Sequence, residues 1–198
     1  MANEVRTYIE VKSDKNETFK KLQDLLGGAD YQEMGHTMWL YNRLYNLPDD
    51  NDEYDRGEYT ERIGAKWCWI DDMDADEGVF TMTTVSAWYY CEIAIRKIQE
   101  ILQEVDEEVC VAFVYEDESL DPIGGGACYK GELITYEDSL DWPVYDEYED
   151  ESDYDSALEE MYDKVYEICD NLRNEAIIDV YQEVNGYEEI EASQDEEE

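Results

Sequence analysis

Hydrophobic and polar positions in the first part of the chain follow patterns that alternate between strand and helix. Residues 5–12 alternate β-branched or aromatic side chains with polar ones, which predicts a strand with one buried face. Apolar residues within 19–26 recur at helical spacing, and a glycine pair is predicted to end that helix. Residues 29–63 are mixed and include an acidic, turn-rich loop at 48–59, so we interpret them as an insertion.

Two further strands are predicted on either side of an acidic turn. Residues 65–70 and 78–87 are rich in β-branched and aromatic side chains, whereas residues 71–77 are mostly acidic. We therefore expect residues 71–77 to form the turn of a hairpin. After Trp88 the pattern becomes helical, and isoleucine and leucine residues line one side of a helix that runs to about residue 104.

The remaining pattern predicts the fold class. Residues 109–115 are apolar throughout, which is typical of a central strand buried on both faces. Glycines 124–126 are predicted to form a turn before another strand or hairpin at 127–136. The resulting order, β-α-β-β-α-β with one addition, is that of a ferredoxin-like split βαβ domain. We predict an α+β domain over residues 1–136, in which an antiparallel sheet carries two helices on one face and an extra strand or hairpin.

A second region is predicted after this domain. Residues 137–155 form an acidic, tyrosine-rich stretch without helical or strand periodicity, which predicts a loop. A long acidic helix is predicted over residues 156–186, packed on the domain, with Ser156 and Glu159 fitting a capping box. Its apolar residues recur three and four apart, and a homodimer through this helix is left open. Residues 187–198 form an acidic tail.

Charge changes the picture more than any motif does. Among 198 residues there are 55 Asp or Glu and 14 Lys or Arg, which gives a net charge of −41. Residues 1–100 hold 21 acids and 11 bases, a net charge of −10, whereas residues 101–198 hold 34 acids and three bases, a net charge of −31. This balance argues against direct binding to nucleic acid or to an anionic membrane, because basic side chains bind those surfaces. It favours a basic partner, a cation, or a role as a soluble decoy for a polyanion.

Other compositional signals are mostly exclusions. Hydrophobic residues make up 43% and aromatic residues 13% of the chain, which argues against a disordered acidic protein. No apolar run of about 18 residues and no signal peptide are present, and the five cysteines include no C-x-x-C pair, so we expect a reducing cytoplasm. His36 is the only histidine, and no nucleotide-binding motif is present, so neither a metal nor another cofactor is predicted. Trp67, Trp69 and Trp88 are predicted to lie in the core.

Part of the chain resembles a known family. The resemblance begins at Gly64 and covers about half of the chain. The motifs that carry it are Gly64-Ala65-Lys66-Trp67, Phe80 to Thr84, Ser86-Ala87-Trp88, Val111 to Glu116 and Gly124-Gly125-Gly126. In these motifs the chain resembles the YubB-type ferredoxin-like domain of plasmids and phages. The resemblance implies a fold and an origin on a mobile element, and it brings no catalytic residues.

The candidate site is an acidic surface on the C-terminal region, where carboxylates could occupy the basic groove of a DNA-binding protein. Tyrosines between the carboxylates supply the amphipathic contact area that protein interfaces favour. The predicted partner-binding residues are Asp141, Tyr145, Asp146, Glu147, Tyr148, Glu149, Asp150, Glu151, Asp153, Tyr154, Asp155, Glu160, Glu167 and Asp170.

The function expected from this surface is non-enzymatic inhibition of a host anti-phage defence protein by a phage-encoded chain. The target would be a basic host protein that binds nucleic acid, such as a restriction enzyme, a CRISPR nuclease or a DNA-targeting toxin. Two alternatives stay open. One is an acidic antitoxin-like or assembly subunit for one basic partner, and the other is a carboxylate-based or metal-dependent enzyme.

Overall fold

The computed structural model describes residues 3–26, 37–48, 55–76, 78–145, 148 and 150–186. Its strands are β1 (Glu4–Lys12), β2 (Cys68–Asp76), β3 (Val79–Ala87), β4 (Cys110–Asp117), β5 (Ile123–Tyr129) and β6 (Glu132–Asp138). Its helices are α1 (Asn16–Leu26), α2 (Thr37–Leu44), α3 (Arg56–Ile63), α4 (Glu92–Gln103) and α5 (Glu151–Asn185). His36, the tail at 187–198 and parts of the predicted insertion (29–36 and 49–54) lie outside the described residues.

The six strands form one antiparallel sheet in the order β2-β3-β1-β4-β5-β6. β1 lies in the interior of the sheet, where Ile9 pairs with Met82 of β3 on one side and with Phe113 of β4 on the other. The predicted α+β class, with an antiparallel sheet and a long C-terminal helix, is confirmed. The hairpin β5–β6 occupies the part of the chain where an extra strand or hairpin is predicted.

One face of the sheet is covered by α1 to α4. Alternate residues of β1 are buried, as its hydrophobic pattern predicts. Buried side chains from all four helices, including Leu22, Leu40, Ile63 and Ile98, join those of the sheet in the largest core cluster. Burial of each such side chain contributes about 1.5–3 kcal/mol to folding. This cluster is therefore the main source of stability of the fold.

The prediction of two helices on one face is wrong, because the insertion contributes two more. α3 begins inside the stretch predicted as an acidic loop, where the Asp55 carboxylate accepts a hydrogen bond from the backbone N–H of Glu58 at 2.9 Å. Tyr59 and Ile63, one turn apart, are fully buried. A helix that buries only these two side chains is too short to show periodicity against its acidic neighbours.

The acidic turn predicted at residues 71–77 is also wrong. β2 continues to Asp76, so most of those residues belong to the strand. β2 is an edge strand, and its side chains Asp72 and Asp74 are exposed. Charged side chains on an edge strand prevent pairing with other chains, so this strand has a polar pattern for a physical reason.

The tryptophans near this edge are less buried than predicted. Trp67 and Trp69 are half-buried and stack on each other, with ring centroids 4.6 Å apart. Trp88 is 55% exposed and adopts a positive φ of 68°, with the Lys66 ammonium 4.6 Å from its ring centroid. The prediction that Trp88 lies in the core is therefore wrong.

The three glycines predicted as a turn instead form the middle of β5, which is buried along its whole length. A Cβ atom on Gly125 would lie 2.3 Å from the backbone nitrogen of Arg173 in α5. On the other face of the sheet, Cβ atoms on Gly124 and Gly126 would meet the rings of Tyr115 and Phe113. The glycines let a helix backbone and two aromatic rings approach the strand closely, which is a packing role and not a turn.

α5 lies across the second face of the sheet, against β4, β5 and β6. It begins five residues before the predicted start, at Glu151, and the Asp150 carboxylate accepts a hydrogen bond from the backbone N–H of Asp153. The predicted cap at Ser156 is wrong, since its hydroxyl lies inside the helix and donates to the carbonyl of Ser152. Asp150 and Ser156 both match the residue types that cap helices, and the helix begins after the earlier of the two.

Candidate partner-binding surface

The two sides of α5 differ sharply in chemistry. Its buried residues are Met161, Val165, Cys169, Ala176 and Val180, and they pack in two small clusters against the sheet. This placement accounts for the three-and-four spacing of apolar residues along the helix. The side turned to solvent carries most of the carboxylates, so one helix separates a packing surface from an acidic surface.

The acidity of α5 is not shared by the other helices. α5 carries eleven acids and two bases in 35 residues, a net charge of −9. α1 to α4 together carry six acids and seven bases, a net charge of +1. The helices on one face of the sheet therefore balance acids with bases, whereas the helix on the other face carries a large excess of acids.

The structure places most of the predicted partner-binding residues on or beside the first half of α5. Asp150 caps the helix, and the predicted acidic residues that follow it are exposed: Glu151, Asp153, Asp155, Glu160, Glu167 and Asp170. Asp141 is exposed in the segment between β6 and α5. Asp146, Glu147 and Glu149 lie outside the described residues.

The three predicted tyrosines come together at the start of α5. Tyr154 lies between Tyr145 and Tyr148, with ring centroids at 5.1 Å and 5.7 Å in edge-to-face geometry. Tyr145 is 56% exposed, whereas the other two are half-buried. Edge-to-face packing is a favourable arrangement of aromatic rings, so this end of the helix presents an aromatic surface beside carboxylates.

Sequence reasoning missed further members of this surface. Glu159 and Asp163 are exposed on α5 between the predicted carboxylates. Tyr162 fits the apolar spacing of the helix, yet it is 42% exposed and packs edge-to-face against Trp142 at 5.9 Å. Trp142 is itself 39% exposed. Tyr162 is four residues after Leu158 and three before Val165, which both pack against the sheet, so the sequence gives no sign that its ring is exposed.

Two ionisable groups on and beside α5 show contrasting electrostatics. A hydrogen bond from the Lys164 ammonium at 2.7 Å lowers the pKa of Glu160, so this exposed carboxylate is ionised at neutral pH. Burial raises the pKa of Glu116 on β4, and the nearby Arg6 guanidinium and Tyr8 hydroxyl partly offset that rise. The acidic surface is therefore charged where it meets solvent, and one desolvated carboxylate lies at its edge.

Among the residues described, no three His, Cys, Asp or Glu side chains converge to hold a metal ion. Within the described part of the chain, no helix combines the length and the apolar character needed to cross a membrane. The five cysteines are free thiols, of which Cys68, Cys91, Cys128 and Cys169 are buried.

The chain matches no family model, no curated protein and no solved structure with which it was compared. The resemblance to the YubB-type domain therefore stays a prediction from short sequence motifs, and the function of the acidic surface has to be argued from its own chemistry.

Proposed function

We propose that the chain is a non-enzymatic inhibitor that occupies the basic, nucleic-acid-binding cleft of another protein with the acidic surface of α5. The observation that carries this proposal is the segregation of charge, −9 on α5 against +1 on α1 to α4. Among the helices the excess of acids is restricted to α5, whereas acids that served solubility alone could lie on any exposed helix. Concentrated like charge opposes folding by self-repulsion, so its retention on one helix favours a role in binding.

The dimensions of α5 support mimicry of nucleic acid. A helix of 35 residues is about 50 Å long, so its eleven acids occur about once every 5 Å along the axis. One DNA strand carries a phosphate about every 3.4 Å. A groove that follows one strand over several base pairs would therefore meet a comparable line of negative charge.

Aromatic side chains among the carboxylates support a protein partner. Tyr145, Tyr162 and Tyr166 are 56%, 42% and 56% exposed on or beside the acidic surface. Buried tyrosine and tryptophan contacts dominate many protein interfaces, because they supply large contact areas at a small cost in side-chain entropy. Charge would speed the encounter and supply most of the attraction, and these rings would add contact area.

The strand order supports a finer assignment of the fold. β3 and β4 are joined through α4 and have β1 between them, which is a split βαβ unit. β1 and β2 are likewise separated by β3. We infer an elaborated ferredoxin-like domain, to which α2, α3 and the β5–β6 hairpin are additions. Together with the sequence motifs, this favours a YubB-type chain of phage origin and a host defence protein as the target.

The proposal is tested by capture of partners from a bacterial lysate at low salt on the immobilised chain. We expect a basic, nucleic-acid-binding protein that is released at about 1 M salt, where the Debye length falls to about 3 Å. Duplex DNA added to the lysate should compete with its capture, and the free chain should in turn displace DNA from the purified partner. Recovery of no such protein, or of one that binds DNA and the chain together, would contradict the proposal.

Two variants with equal changes in net charge control this experiment. The α5-neutral variant carries Glu159→Gln, Glu160→Gln, Asp163→Asn, Glu167→Gln and Asp170→Asn. The layer-neutral variant carries Glu17→Gln, Asp24→Asn, Glu58→Gln, Glu61→Gln and Glu100→Gln, all at exposed positions of α1, α3 and α4. Only the α5-neutral variant should lose the partner. If the captured protein binds no nucleic acid and is encoded beside the chain, the antitoxin-like alternative replaces the proposal.

A further inference from the structure

A groove lies where α5 passes the ends of β1 and β4. Its volume is about 320 Å³, and its walls include the rings of Trp142 and Tyr162. Val85 and Arg6 line it from the sheet, and Glu116 lies beside them. Ligand sites in proteins usually measure about 300–1,000 Å³, so this groove has room for one small group such as a single side chain.

The groove is strongly negative for its size. Glu4, Glu116, Asp117 and Glu118 line it, against one base, Arg6. Asp117 is buried and its carboxylate already accepts hydrogen bonds from Ser119 and Asn3. Glu116 has Tyr8 and Arg6 as neighbours, and together with Glu4 and Glu118 it leaves the groove with more carboxylates than bases to attract a cation.

A cation bound in the groove would stabilise the ionised Glu116 carboxylate. Glu116 is half-buried, and this burial raises its pKa despite the neighbouring Arg6 and Tyr8. A carboxylate that loses water is costly unless charge and hydrogen bonds replace the solvent. A cation bound in the groove would supply both, so occupation would relieve a cost that the free chain bears.

The aromatic wall distinguishes among possible cations. Trp142 and Tyr162 remain 39% and 42% exposed, so a ligand can still cover their rings. A guanidinium is planar, stacks on aromatic rings and binds carboxylates through two parallel hydrogen bonds, whereas an ammonium is a compact and strongly hydrated charge. The combination of rings and carboxylates thus matches arginine better than lysine.

We propose that this groove receives an arginine side chain of the basic partner protein. The Trp142 and Tyr162 rings would contact it on one side, and the Glu116 carboxylate would bind it on the other. The identity of the partner rests on the proposed function, but the chemistry of the groove does not. A basic nucleic-acid-binding cleft presents arginines to phosphates. One of these arginines would bind in the groove, while the α5 carboxylates would pair with the other basic residues of the cleft.

The direct test is a nuclear magnetic resonance titration of the isotope-labelled chain with N-acetyl-arginine amide. The Trp142 indole N–H signal, assigned from Trp142→Phe, reports occupation. N-acetyl-citrulline amide, which has the same shape without the charge, is the matched control. We expect a saturable shift with arginine and binding about tenfold weaker with citrulline, since the charge supplies most of the attraction. No saturable shift, or equal shifts with both probes, would overturn the proposal.

Variants locate the binding site. Trp142→Ala lacks the indole reporter, so its binding is followed by the backbone N–H signals of Arg6 and Val85 in the groove lining. Trp142→Ala and Glu116→Gln should each weaken binding of the arginine probe about fivefold. Trp88→Ala removes a tryptophan that is 55% exposed but lies outside the groove lining, so it should leave binding unchanged. Equal losses in Trp88→Ala and Trp142→Ala would show nonspecific binding to exposed rings and overturn the site.

Partner capture separates this proposal from the proposed function. A chain with both Glu116→Gln and Trp142→Ala should retain capture at low salt but lose affinity about tenfold or more. If that chain binds the partner as tightly as the native one, the groove is not the anchor, although the acidic surface still is. If the arginine probe binds but no nucleic-acid-binding partner is captured, the groove stands and the proposed function falls.

Discussion

The two faces of the sheet are stabilised in different ways. α1 to α4 cover one face with the largest apolar core, and their exposed sides mix six acids with seven bases. α5 covers the other face through two smaller clusters and a close approach to Gly125, and its exposed side is overwhelmingly acidic. The same chain therefore builds one balanced helical layer and one strongly charged helix.

The difference shows which part of the molecule is shaped by demands other than folding. A mixed surface contributes small, favourable ion pairs, such as Lys97 with Glu100 at 2.8 Å on α4. α5 has only two bases for eleven acids, so most of its carboxylates have no such pairing available within the helix. Its stability must come from its buried side, and its exposed side is the surface for which we propose partner binding.

The largest expected effect comes from the contact between α5 and β5. A methyl group on Gly125 would meet the backbone of α5 at Arg173 and Cys169, which cannot give way as a side chain can. Gly125→Ala should therefore lower the free energy of unfolding by about 3 kcal/mol, as overpacking of a core does. Chemical denaturation monitored by circular dichroism measures this loss.

Gly57→Ala is the matched control for this substitution. A methyl group there would approach only the end of the Asp55 side chain, at 3.1 Å, on an exposed turn of α3. We expect a change below about 1 kcal/mol, because alanine also favours the helix. Equal losses in the two variants would mean that α5 does not depend on its close approach to the sheet.

The next effect compares two carboxylates, one in each region. Asp106, between α4 and β4, is desolvated by burial, but Lys15 at 2.9 Å and Ser13 at 2.6 Å lower its pKa overall. Its contribution to stability is present above the unfolded-state pKa of about 3.9 and is lost as the pH falls through the lower folded-state value. Asp106→Asn should therefore cost about 2 kcal/mol at pH 7, and the cost should disappear in strong acid.

For Glu116, beside α5, the dependence of stability on pH has the opposite sign. Because its folded-state pKa is raised, its contribution is greatest below the unfolded-state pKa of about 4.3 and is lost as the pH rises through the folded-state value. Glu116→Gln should leave stability at pH 7 unchanged or higher than that of the native chain. Thermal unfolding of both variants across pH checks this pair, and a Glu116→Gln chain that is clearly destabilised at pH 7 would contradict it.

Salt should affect the two regions unequally. Screening weakens repulsion among the α5 carboxylates, so added sodium chloride should raise the stability of the native chain by about 1 kcal/mol. The α5-neutral variant should gain clearly less from salt, whereas the layer-neutral variant should gain as much as the native chain. Unfolding curves at low and high salt give the comparison, and equal gains in all three chains would contradict regional repulsion.

The smallest effect concerns single basic residues. Lys164 on α5 pairs with Glu160 at 2.7 Å, and Lys97 on α4 pairs with Glu100 at 2.8 Å. Replacing either by methionine should change stability little, because exposed ion pairs contribute little to folding. Partner binding should strengthen about twofold in Lys164→Met, because the acidic surface gains a net negative charge, and should stay unchanged in Lys97→Met. Titration calorimetry with the purified partner measures the difference.

Some elements could be predicted because their pattern and their environment agree. β1 alternates in sequence and is buried on alternate residues, since one of its faces lies under the helices. β2 could not be predicted beyond its first residues, because an exposed edge strand needs no apolar alternation. Glycines 124–126 were ambiguous for another reason: glycine usually marks a turn, and only the packing partners of β5 reveal that small size was required.

The candidate site, like the fold, could be predicted only in part. The acidic region could be located from composition alone, and α5 does carry the predicted exposed carboxylates from Glu151 to Asp170. The groove could not be predicted, because Trp142 and Glu116 are far apart in the chain and meet only through the fold. Charge density is visible in a sequence, whereas a cavity depends on tertiary packing.

The central claim is that position, and not total charge, makes the acidic surface functional. Its most direct measurement is the concentration of chain that displaces half of a bound DNA duplex from the purified partner, compared among the native, α5-neutral and layer-neutral chains. With five carboxylates removed, the α5-neutral chain should need at least about 50 times the native concentration. The layer-neutral chain, with the same net charge, should match the native chain within about twofold. Equal losses in the two variants would contradict the claim.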